Sequence, residues 1–298
     1  MQPPCFIAAV GQRFAGKSNE TLRQCYWALR GVPEKGIRGV PVIIFDNNDE
    51  YGAYNFNGSV VNIKRIDIKH IPIMCGNPYP EIRRVVPVDK NGMMIEEYEE
   101  RLKILKQLLN TAYNCIIVIE DINKLVGDNI PDNIIGAVST LRQRGQHIIT
   151  HFQGVGRVGQ PKILANLNYI RMHRTRDSVE RHEGKFQEIT DMMSVAEYII
   201  DKKFFYGQEI GDRIMQTYNL TIDIDHGKIR GFVTKQEAED AIQFYLAKNG
   251  KSVLSTYKNM TDRAGKKLYT HETAYSMIEQ KMFNDFFSFP KNKSTQKK

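Results

Sequence analysis

The residues best suited to chemistry are Gly11-Gln12-Arg13-Phe14-Ala15-Gly16-Lys17-Ser18, which fit the pattern G-x-x-x-x-G-K-[ST] between a short apolar run and a helical one. Two glycines let the backbone curl so that successive N–H groups and the start of the helix converge on one point, an arrangement suited to phosphate oxygens. Lys17 then reaches the β- and γ-phosphates of a nucleoside triphosphate, ATP being the expected one, and Ser18 offers a hydroxyl to Mg2+. Such a loop needs carboxylates on a neighbouring strand, to hold the cation and to polarise the attacking water. Cys115-Ile116-Ile117-Val118-Ile119-Glu120-Asp121 supplies them. Its branched aliphatics mark a strand buried on both faces, and an acidic pair at the end of such a strand is costly unless it faces a site. The pair is assigned both magnesium ligation and water activation, without dividing the two roles.

Two further runs carry polar residues at their ends. Val42-Ile43-Ile44-Phe45-Asp46 is a buried strand leading into Asn47-Asn48-Asp49-Glu50-Tyr51. Residues 141–153 lead through another strand to Gln153, an amide placed to sense the γ-phosphate; the alternative is a loop amide with no duty. Ahead of that strand, Arg142 and Arg144 are candidates for an arginine that stabilises charge on a neighbouring subunit's phosphoryl group. The alternative for either is a solvated arginine closing a helix against its dipole.

Short apolar runs alternating with helical patterns predict a mostly parallel sheet covered by helices. Strands are expected at residues 6–10, 42–45, 116–119, 147–150 and 169–172, and helices at 18–30, 96–113 and 133–144. From about residue 191 the texture becomes helix-rich, broken at 220–232 by a short hairpin turning at His226 and Gly227. Thr234 and Glu237 form a capping box opening a helix through Ala247. Residues 209–217 and 264–287 read as lids or subunit contacts. The expected division is a motor domain over 1–190, a helical and hairpin extension over 191–290, and a disordered basic tail over 291–298.

In 298 residues with 41% hydrophobic and 26% charged, there is room for one large α/β domain with a small appendage, and wholesale disorder is not expected. The net charge of +8 suits a partner rich in phosphate. Arg157, Lys162, Arg171, Arg174, Arg176, Arg181 and Lys185 form a basic cluster, although Asp177, Glu180 and Glu183 interrupt it. Cys5, Cys25, Cys75 and Cys115 lack paired spacing, which fits reduced thiols and a cytoplasmic protein. No run approaches roughly 18 apolar residues, so membrane insertion is not expected.

Taken together, these stretches resemble the FtsK–HerA superfamily of DNA-pumping ATPases over residues 6–174. Asp46, Glu50 and Tyr51 match a segment that follows the family's second strand, and the order of arginine, apolar strand and glutamine is similar. Two departures stand out: Glu120 precedes Asp121 where the family has aspartate then glutamate, and Phe152-Gln153-Gly154-Val155 keeps only the glutamine of a Thr-Gln-Arg-Pro signature. The resemblance implies a RecA-like P-loop fold with ATP and magnesium, and it adds Asp46 to the nucleotide-binding set. It further implies a homo-oligomeric ring, hexamer or pentamer, with nucleotide at subunit junctions and double-stranded DNA held nonspecifically in the channel. Genome packaging in a virus, or a related mobile-element motor, is the expected setting, with a portal or capsid vertex as partner in the viral case and the host cytoplasm or virion as location. The rivals are an assembly or export ATPase similar to Zot-like phage proteins, and a nucleotide-dependent switch that moves nothing.

Overall fold

The computed structural model describes residues 4–56, 58–122, 141–186, 189–258, 261, 264–268 and 271–289. Its centre is an eight-stranded sheet built from β1 (Phe6–Val10), β2 (Val42–Phe45), β5 (Ile82–Val85), β6 (Ile116–Ile119), β7 (His147–Phe152), β8 (Tyr169–His173), β9 (Asn219–Asp223) and β10 (Lys228–Arg230). The spatial order is β10-β9-β8-β1-β7-β6-β2-β5. Six neighbours, β8 to β5 in that order, run parallel, and β9 and β10 add an antiparallel edge. A small separate hairpin joins β3 (Tyr54–Phe56) to β4 (Ser59–Val61).

The five strands expected from apolar runs all form, with β7 and β8 each extending beyond the expected end. β5 is an addition. Its sequence Ile-Arg-Arg-Val lacks an apolar run, yet Arg84 is buried because it turns inward to an acidic partner. The hairpin at His226–Gly227 forms as expected, and β9 pairs with β8, so residues after 190 contribute to the main sheet.

Alternation along the strands divides two cores. Ala8, Val10, Ile117, Ile119, Ile148, Phe152, Ile170 and Met172 join one, beneath the long helix α8 (Thr190–Glu209). Val42, Ile44, Val118 and Ile149 face the other, against Leu22 and Cys25 of α1 (Lys17–Arg30). Burying a residue such as Leu22 contributes roughly 1.5–3 kcal/mol. α1 starts directly after Gly16 and ends where Gly31 turns to φ 62°.

The remaining helices are α2 (Ile71–Gly76), α3 (Tyr98–Thr111), α4 (Leu141–Arg144), α5 (Val155–Val158), α6 (Pro161–Leu164), α7 (Glu183–Phe186), α9 (Arg213–Gln216), α10 (Lys235–Lys258) and α11 (His271–Phe286). Of the helix expected at 133–144, the part before α4 lies outside the described residues, as does the basic tail. The capping box is present: Thr234 N–H donates to Glu237 Oε2 at 2.8 Å, and Glu237 N–H donates to Thr234 Oγ1 at 3.2 Å. α10 runs well past the expected end at Ala247. Among the described residues, no helix is long and apolar enough to cross a membrane.

Candidate active site

The parallel strands present their C-terminal ends at one edge of the sheet, where the connecting segments build a cavity of about 440 Å³. Its size suits a bound small molecule. Arg13, Phe14, Ala15, Gly16, Lys17 and Ser18 form one wall, continuing from β1 into α1. Phe14 and Gly16 adopt left-handed backbone at φ 63° and 87°, which curls the loop. Gly11 N–H donates to Phe152 O at 3.1 Å and Gln12 N–H to Arg174 O at 2.9 Å, pinning the loop's base to β7 and to the end of β8. The backbone amides of residues 13, 14, 16, 17 and 18 take no backbone partner among the described residues. Gly11 is required for packing, because a Cβ there would lie 2.7 Å from His173 Cβ.

Lys17 Nζ donates to Gly11 O at 2.5 Å and to Gln12 O at 2.9 Å, so its ammonium spans the loop's base. Burial pulls its pKa down to about 8, against the opposing influence of Glu120 and Asp121. Neighbouring His173 is fully buried and neutral, its pKa pushed well down by burial and then by Arg171; its Nδ1–H donates to Ala15 O at 2.9 Å.

The opposite wall carries Glu120 and Asp121, together with His151 and Gln153 from the end of β7. Burial alone would raise the Glu120 carboxyl, but His151 together with the hydroxyls of Tyr51 and Ser18 holds it below its usual value. Tyr51 OH donates to Glu120 Oε1, and His151 Nδ1 approaches Oε2 at 2.8 Å. Asp121 sits at φ 45°, a strained backbone for a non-glycine residue, and its Oδ1 accepts from Gln153 Nε2 at 3.0 Å. The acidic pair is therefore divided: Glu120 turns to Ser18, and Asp121 turns to Gln153.

A glycine-rich loop leads from β1 into α1, the acidic strand β6 stands two places away, and β7 between them carries the glutamine. The fold is that of a RecA-like P-loop NTPase. Among solved structures, the chain is similar to the genome packaging NTPase B204 from Sulfolobus turreted icosahedral virus 2 in complex with sulfate, with 18% identity and a TM-score of 0.46 over 77% of this chain and 96% of that one. It is also similar to B204, the DNA-packaging ATPase from Sulfolobus turreted icosahedral virus, with 14% identity and a TM-score of 0.43 over 77% of this chain and 97% of that one. The N-terminal domain of zonular occludens toxin from Neisseria meningitidis matches over 57% of this chain and 76% of its own, with 14% identity and a TM-score of 0.29. No family model and no curated protein matches the chain.

Other residues singled out from the sequence lie away from the cavity lining. Asp46 does not line the cavity. It is buried and accepts from Glu50 N–H, Tyr51 N–H and Arg84 Nη1 at 2.9, 3.0 and 2.9 Å, which shapes the loop that delivers Tyr51. Arg144 closes α4 shortly before β7 begins, at the edge of the sheet opposite the P-loop, and donates to Asn110 O. It is remote from this chain's own cavity, and the side chain of Arg142 lies outside the described residues. Within the basic cluster, Arg171 is fully buried and so leaves the surface, whereas Arg157, Lys162, Arg176, Arg181 and Lys185 are exposed. Arg174 is half-buried, with its guanidinium 3.9 Å from the centre of the Phe204 ring and 3.2 Å from Asp201.

Arg213 and Thr217, at the ends of α9, also line the cavity and were not singled out from the sequence. The fit of α9 over the loop is close: a Cβ on Gly16 would lie 2.8 Å from Thr217 Cβ. Only the reading of residues 209–217 as a lid pointed there. Asn48, Glu50 and Tyr54 complete the rim.

Proposed function

We propose that the chain is a divergent FtsK–HerA-type motor that hydrolyses ATP at this cavity and uses the energy to move double-stranded DNA. The observation that carries the reading is the facing pair of walls: an ammonium, with backbone amides that take no backbone partner among the described residues, opposite two carboxylates and a glutamine. The triphosphate lies along residues 13–18, its charge met by Lys17, by the start of α1 and by Arg213. Asp121, oriented by Gln153, accepts the proton of the attacking water while Gln153 senses the γ-phosphate.

Magnesium fits the corner where Ser18 meets Glu120, since hydroxyl and carboxylate oxygens are the donors a hard cation takes, with Asp121 close by. When bound, the cation neutralises charge on the β- and γ-oxygens. Phe14 and Ile214, 100% and 81% exposed beside the cavity, support a second copy covering the nucleotide in a ring. Arg142 or Arg144 of that copy is then available to the phosphates. The exposed arginines and lysines of residues 157–185 serve nonspecific contact with duplex phosphates.

The test is ATP hydrolysis with and without duplex DNA at increasing salt. Stimulation by DNA that fades as salt rises is expected. Hydrolysis indifferent to DNA would favour an assembly or export ATPase, and a monomer with negligible turnover would favour a switch.

A further inference from the structure

Behind Glu120 lies a buried polar chain that the hydrolytic reading leaves unused. Strand register sets His151 of β7 and Arg171 of β8 on either side of Ala9 of β1, all on the face covered by α1. Ala9 offers only a methyl group, and Thr21 of α1 meets both neighbours across it. Thr21 Oγ1 accepts from Arg171 Nη2 and lies 2.7 Å from His151 Nε2. Arg171 donates also to Gln24 Oε1 at 2.7 Å, and it makes no ion pair among the described residues. His151 Nδ1 then sits 2.8 Å from Glu120 Oε2, off the axis of a straight hydrogen bond.

Proton counting along this chain leaves one satisfactory arrangement. A guanidinium only donates, so Thr21 must accept from Arg171. Among the described residues the Thr21 hydroxyl makes no bond to the preceding helical turn, so its own proton points to His151 Nε2, which must accept it. The ring proton is thereby left on Nδ1, facing a carboxylate that can only accept. A doubly protonated ring would strand the Thr21 proton in a buried place, at a desolvation cost.

We propose that His151 is a positioning residue, locked as its Nδ1–H tautomer by Arg171 acting through Thr21, and that it orients the Glu120 carboxylate toward Ser18. This rests on the reading of the Ser18 and Glu120 corner as the cation site. Outer partners of this kind fix the orientation of a ligand, and their removal costs about 10–100-fold in metal affinity or activity.

The experiment is 15N NMR of the full chain labelled at its histidine rings, with the His151 signal assigned by its loss in His151→Asn. A protonated Nδ1 with a bare Nε2 is expected, the reverse of the form a free imidazole favours; a protonated Nε2 overturns the proposal. In parallel, His151→Asn keeps a donor where Nδ1 sits, whereas His151→Gln keeps a polar group only where Nε2 sits. The magnesium concentration for half-maximal ATP hydrolysis is expected to rise about 10–100-fold in His151→Gln and much less in His151→Asn, with similar thermal midpoints. Equal losses in both would mean that the ring only fills space, and would overturn the proposal. The tautomer is read without nucleotide. A chain that hydrolyses nothing therefore defeats the motor reading alone, and an Nε2–H ring in a hydrolysing chain defeats this inference alone.

Discussion

At the scale of single residues, Glu120 and Asp121 differ by their partners. Glu120 is enclosed by the hydroxyls of Tyr51 and Ser18 and by the His151 ring, which leaves it little freedom to receive a proton from water. Asp121 instead takes a hydrogen bond from Gln153, on a strained backbone at the cavity wall. The two isosteric amides should therefore fail differently. Asp121→Asn is predicted to bind ATP but lose hydrolysis by at least about 100-fold, read as nucleotide retained on filters without phosphate release. Glu120→Gln is predicted to hydrolyse only at raised magnesium, read from a magnesium titration. If Glu120→Gln retained nucleotide and Asp121→Asn turned over freely, the roles would be reversed.

At the scale of elements, the site depends on strands whose loops are shaped by buried charges. Arg84 of β5 and Asp46 after β2 are nearly fully buried and bonded at 2.9 Å, and Arg84 also donates to Ile63 O at 2.6 Å. Arg84→Met would leave the Asp46 carboxylate buried without its cation, at a predicted loss of about 3–5 kcal/mol in chemical denaturation. A loss within error would mean that Asp46 is held by its backbone donors alone. The same residues explain what the sequence made legible. β1, β2, β6, β7 and β8 were readable because unbroken aliphatic runs have few other uses, and Lys17, Ser18, Glu120 and Asp121 because their spacing is that of a phosphate loop and its acidic partner. β5 was hidden because two arginines mask its alternation, and one of them is buried only through a partner far along the chain. His151 and Arg171 read as strand-end and surface residues, since their meeting at Thr21 depends on register between β7, β1 and β8. Arg213 and Thr217 reach the cavity from a segment some 200 residues beyond the phosphate loop, which no local pattern could indicate.

At the scale of the whole molecule, one sheet with two cores must stay folded while its edge does chemistry. Glu197 of α8 marks a weak point. Burial pushes its carboxyl up to about 7, although Val179 N–H donates to it at 3.0 Å. The unfolded chain releases this proton near 4.5 and the folded chain keeps it to about 7, so the contribution to stability is full below 4.5 and is lost as pH rises through 7. Glu197→Gln, which still accepts from Val179, is predicted to raise the thermal midpoint at pH 8 and to leave it near the wild type at pH 4.5; the opposite order would mean an ionised Glu197 that stabilises the fold. The central claim, that the walls around Lys17 grip and cleave a triphosphate, is tested most directly by phosphate release from ATP and magnesium in the wild type and Lys17→Ala. Steady release is expected from the wild type and none above background from the variant, because the phosphates lose their nearest cation. Near-normal release from Lys17→Ala would contradict the claim.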